Sequence, residues 1–73
     1  MTTYTLKDKK RYCNVIRYLE KESLSRLTSQ NLAQYLFKDG SIVLARKGMV
    51  IEIEKANGQL KSDLENLIEE DKE

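Results

Sequence analysis

The sequence predicts a small α+β domain with elements in the order helix, helix, β-hairpin, helix (α-α-β-β-α), and three observations predict it. Tyr12, Val15, Ile16 and Leu19 recur at helical spacing. Between residues 41 and 55 the apolar period changes to two, and at Leu60, Leu64, Leu67 and Ile68 it returns to that of a helix. With no proline and three glycines, nothing reads as a linker. Residues 1–73 are therefore expected to form one domain, with an acidic C-terminal tail frayed from about residue 69.

The first helix is expected over 6–22. Thr5 followed three residues later by Asp8 resembles a capping box, and the apolar positions that follow make one buried stripe. Cys13 falls at the edge of that stripe and is expected to be a small buried hydrophobe. A second helix is expected over 29–38: Thr28 is a capping residue, Leu27 and Leu32 stand at the two positions of a hydrophobic staple, Leu36 and Phe37 extend the apolar side, and Gly40 ends it. In the hairpin at 41–55, a two-residue turn at Lys47-Gly48 sets Leu44 opposite Ile51 and Ile42 opposite Ile53 on the buried face, with Val43 opposite Glu52 outside. Asn57-Gly58 then breaks the strand, and the last amphipathic helix follows.

Composition narrows the function. One cysteine and no histidine exclude an internal disulfide and leave no thiol–imidazole pair. Glycine-rich phosphate loops and metal-ligand spacings are missing from the sequence, and Glu52 and Glu54 lie on an outer strand face with no apolar pocket to raise a pKa. The chain is therefore read as a binding protein and not an enzyme, with no cofactor, no metal and no small-molecule substrate. No apolar run is long enough for a membrane span, and the start Met1-Thr2-Thr3-Tyr4 is not that of a secretory signal, so a cytoplasmic location is expected. A core this small leaves self-association as the expected source of extra stability.

The net charge of +1 conceals a division. Residues 1–50 carry ten Lys and Arg against four acids, whereas residues 51–73 carry three Lys against eight acids. Such a polar charge layout favours a charged partner. On a helical wheel Lys7, Lys10, Asn14, Arg17 and Lys21 form a stripe opposite the apolar one, with four cations and no acid. Solvated helix faces ordinarily interleave signs at i,i+4; this one does not. Lys7, Lys9 and Lys10 also crowd the positive end of the helix dipole, where cations are unfavourable. Arg46 and Lys47 place two more cations at the expected hairpin tip.

These residues define the expected sites. Lys7, Lys10, Arg17 and Lys21 would contact phosphates, Asn14 could read a base edge, and Arg46 and Lys47 would make a second contact, with DNA preferred to RNA. Tyr18 and Tyr35 are the candidate partner-binding aromatics for the alternative reading, a protein-binding adaptor or inhibitor or a homodimer; a structural assembly subunit is the third. The segment Leu27-Thr28-Ser29-Gln30-Asn31-Leu32-Ala33-Gln34-Tyr35-Leu36 resembles the opening helix of a helix-turn-helix motif. It departs where a recognition helix should follow, because Phe37-Lys38-Asp39-Gly40 leads into a strand. The order of helix, basic-tipped hairpin and helix over 29–70 resembles small phage head-completion proteins as a pattern of elements, which implies no role for any residue. A regulatory or accessory protein of a phage or mobile element is the setting these readings suggest.

Overall fold

The computed structural model describes residues 2–69. Along the chain run β1 (Thr2–Thr5), α1 (Lys9–Glu22), β2 (Ser25–Thr28), β3 (Leu32–Leu36), β4 (Ile42–Arg46), β5 (Val50–Lys55) and α2 (Gly58–Glu69). The strands make one antiparallel five-stranded sheet in the order β1-β5-β4-β3-β2. Both helices pack on the same face of it. The class is α+β, but the expected order α-α-β-β-α is overturned: one helix precedes the hairpins, and the sheet has strands where the second helix was expected.

The replaced helix is instructive. Leu27, Leu32 and Leu36 satisfy helical spacing, yet the same stretch alternates: Ala33 and Tyr35 face the helices, while Leu32, Gln34 and Leu36 face the other way. A two-stranded hairpin alone is marginal in water, so β4 and β5 gain from a third strand that carries apolar side chains on both faces. The same strands remove the helix-turn-helix likeness and the pattern shared with head-completion proteins. A further strand, β1, was not foreseen; Thr2-Thr3-Tyr4-Thr5 is short, but its β-branched and aromatic residues suit an edge.

The helix boundaries follow from caps. α1 starts at Lys9, later than expected, because Asp8 is its N-cap and accepts from the Lys10 N–H at 3.0 Å; Thr5 belongs to β1. Ser23 closes the helix by donating its N–H to the Leu19 carbonyl. Asn57 caps α2, its Oδ1 accepting from the Leu60 N–H at 2.7 Å, and its own N–H is held by the hydroxyl of buried Ser41. The frayed tail expected from about residue 69 falls almost wholly outside the described residues.

The β4–β5 hairpin exists where expected, in a different register. Arg46 pairs with Val50 around a loop of Lys47, Gly48 and Met49, in which both Gly48 (φ +90°) and Met49 (φ +60°) are left-handed. One extra loop residue turns every β4 side chain over. Val43 opposite Ile53 and Ala45 opposite Ile51 are buried, whereas Ile42 and Leu44 lie on the far face. The core comprises Val15 and Leu19 of α1, Leu60, Leu64 and Ile68 of α2, Tyr35, Val43, Ala45, Ile51 and Ile53 of the sheet, and Leu6. The opposite face of the sheet carries Leu32, Leu36, Ile42, Leu44 and Val50, partly exposed, with no helix of the described residues over them.

Candidate nucleic-acid interface

Packing α1 by Val15 and Leu19 fixes what it shows to solvent. Lys10, Asn14, Arg17 and Lys21 are all exposed on its outer side, and Lys7 is exposed in the turn before it. Among the described residues none of these four cations has an acidic partner within ion-pair distance. Three acids of the two helices bond to other residues. Glu20 pairs with Arg26 of β2 at 2.7 Å. Asp63 of α2 accepts from the Tyr18 hydroxyl and from Gln59 Nε2, and Glu65 accepts from the Tyr4 hydroxyl at 3.3 Å. Asp63 and Glu65 thus anchor α2 to α1 and to β1.

Arg11 shows how position decides the use of a charge. Three residues before Asn14, it turns inward and donates to the Ile68 carbonyl at 2.9 Å, a cation at the negative end of the α2 dipole. With Tyr18 on Asp63, this contact runs the two helices antiparallel: the start of α1 meets the end of α2. Burial first, then the bond to Asp63, pushes the Tyr18 phenol up to about 12. Burial also raises Tyr12, which packs against the core beside Tyr35.

The hairpin tip, expected as a second point of contact, stands apart from the stripe. Arg46 stands on the sheet face away from the helices, where it approaches Glu52 at 3.7 Å. Lys47 is exposed in the loop, and its N–H donates to the Asn31 carbonyl, tying the β4–β5 turn to the β2–β3 turn. Arg46 and Lys47 line a shallow hollow with Asn31, Leu32 and Val50. The structure thus brings Lys10, Asn14, Arg17 and Lys21 together, leaves Lys7 beside them, and puts Arg46 on the opposite side of the sheet.

The aromatic candidates separate as well. Tyr35 is 2% exposed and belongs to the core, which corrects its reading as a partner-binding residue: it faces inward on β3, and the helical reading could not show that. Tyr18 is half-buried with its hydroxyl committed to Asp63. Cys13 is exposed, contrary to the expectation of burial. Among the described residues no group of three acids or thiols could hold a metal ion, and no helix is long and apolar enough to cross a membrane. The large apolar residues most exposed to solvent are Leu24 and Leu27, just before and within β2. Helical spacing had placed Leu27 in a staple, so this edge escaped the sequence reading. Comparison with known protein families, curated proteins and solved structures gives no match.

Proposed function

We propose that the protein binds nucleic acid, duplex DNA before RNA, through the outer face of α1, and acts by binding and not by catalysis. The observation that carries this reading is the one-sign stripe of Lys10, Arg17 and Lys21, exposed and without acidic partners among the described residues. Its cations suit successive phosphates, whose neutralisation releases condensed counterions. Asn14, in the middle, suits an adenine edge. A B-form major groove admits a helix, whereas the major groove of an RNA duplex is too narrow for side chains to read. Lys7 extends the contact at the start of the helix. Arg46 and Lys47 line a hollow with Tyr12 and Ile16 of α1, away from its outer face, and are left to a separate contact.

The test is fluorescence anisotropy with duplex and single-stranded DNA and RNA at two salt concentrations, comparing the natural chain with a Lys10→Glu, Arg17→Glu variant. Binding that weakens with salt and vanishes in the variant supports the reading; no binding at low salt ends it. A second reading, a protein-binding adaptor, is favoured by one observation, the helix-free sheet face of Leu32, Leu36, Ile42, Leu44 and Val50. An adaptor acting there would keep its affinity as salt rises and lose it in Leu44→Glu.

A further inference from the structure

We infer that β2 is a self-pairing edge, at which two copies of the chain join antiparallel across a twofold axis through Leu27 to make one continuous sheet. Three observations meet there. First, β2 is an edge strand of the sheet and all its residues are exposed. Second, its hydrogen-bonding phase is fixed: Ser29 donates its N–H to the Leu32 carbonyl at 2.8 Å, and with Leu27 opposite Gln34 the alternation aims the backbone groups of Arg26 and Thr28 outward. Third, Leu24 and Leu27 are 72% and 57% exposed, and Leu27 lies on the helix-free sheet face with Leu32, Leu36 and Leu44.

One register uses all of this. Setting Arg26 opposite Thr28 of the second copy lets each pair exchange both main-chain bonds, and it leaves Leu27 directly opposite Leu27 of the second copy as a close, non-hydrogen-bonded pair. The apolar side chains then continue across the junction. Two Arg26 side chains approach near the axis, and each is paired with Glu20 at 2.7 Å, which weakens the like-charge repulsion. The other edge, β1, shows Thr3 and Thr5 on the same face and no exposed large apolar residue. Pairing β1 with β2 would in addition be head-to-tail and would not close. An antiparallel junction keeps both helix layers on one side of the joined sheet, so the two α1 stripes face the same way. The inference stands without the nucleic-acid reading, since no stripe residue lies at this edge.

The decisive experiment is mild oxidation of the full chain carrying Leu27→Cys in a Cys13→Ser background, with Ser25→Cys in the same background as control. In the proposed register the Cα atoms at position 27 lie about 4.5 Å apart, within disulfide reach. Those at position 25 lie at least about 13 Å apart, four residues out of step along the strand. Efficient cross-linking at 27 with none at 25 supports the register; equal cross-linking at both, or none at either, overturns it. Sedimentation equilibrium provides the second measurement. The natural chain should show a reversible monomer–dimer equilibrium, and Thr28→Pro, which removes an outward N–H that β3 does not use, should lose the dimer with unchanged circular dichroism. A chain that stays monomeric at all concentrations, or an open-ended series of oligomers, overturns the inference.

Discussion

The Tyr18 hydroxyl donates to Asp63 Oδ2 at 3.0 Å, and this bond fastens the middle of α1 to the first half of α2. Its partner acid is held from the other side by Gln59, so the pair is set in place before any ligand is considered. The bond uses the inner flank of α1, and the outer face keeps Lys10, Asn14, Arg17 and Lys21 exposed with one sign of charge.

Alkaline stability should report that bond. Burial and Asp63 raise the Tyr18 phenol to about 12, above its ordinary value of 10.0. A raised folded-state value means the contribution is complete below pH 10 and is lost as pH climbs from there through about 12. Chemical denaturation across that window should show falling stability in the natural chain and a smaller fall in Tyr18→Phe. At neutral pH Tyr18→Phe should cost about 1 kcal/mol, the ordinary net worth of one such hydrogen bond. An unchanged alkaline limb in the variant would show that the bond does not couple the helices.

Charge on α1 should act on binding and not on folding. Replacing Arg17 or Lys21 by Ala removes an exposed side chain with no ion-pair partner among the described residues, so stability should move by no more than about 0.5 kcal/mol. Each substitution should reduce the salt dependence of duplex binding by about 0.9 in the slope of log affinity against log salt. Arg11→Ala should do the reverse: the residue serves the α2 C-terminus, so stability drops while the slope holds. Titrations at several salt concentrations, paired with denaturation curves, separate the two classes.

How far the sequence led is clearest at Leu32, Val43 and Arg46. α1 and α2 were legible because each has an apolar stripe long enough to defeat the alternative periods, and the exposed stripe of Lys10, Asn14, Arg17 and Lys21 followed from the same wheel. The β2–β3 hairpin was not legible, because Leu27, Leu32 and Leu36 fit a helix while alternation from Leu32 to Leu36 fits a strand, and only neighbouring strands decide between them. Strand β1 has four residues and no period to detect. Val43 was misplaced by the loop: Met49 in a left-handed conformation is uncommon for a residue without a short polar side chain, and it adds the residue that flips the face. Arg46 turns over with the rest of β4, so it stands on the sheet face away from Lys10 and Arg17.

That flipped register has its own test. Val43 is fully buried, so Val43→Ala should cost about 2 kcal/mol from lost methyl burial and the space left behind. Leu44→Thr, on the helix-free face opposite Glu52, should cost less than about 1 kcal/mol. The two-residue turn makes the opposite prediction, with Leu44 in the core and Val43 outside. Denaturant midpoints for the two variants decide between the registers.

The glycines should divide in the same measurement. Gly48 sits at φ +90° in the β4–β5 loop with open space where a Cβ would stand, so Gly48→Ala meets no steric obstacle and its cost is backbone strain alone, about 1 kcal/mol or more. Gly40, at φ +93° before Ser41, should behave alike. Gly58 has no left-handed φ and opens α2 directly after the Asn57 cap, again with nothing near the added methyl. There Ala lowers the entropy of the unfolded chain without strain in the folded one, so Gly58→Ala should stabilise by about 0.4 to 1 kcal/mol. Denaturant midpoints of the three variants check this directly. Destabilisation at Gly58 would mean that the start of α2 needs a conformation closed to alanine, and with it that the Asn57 cap is not formed as described.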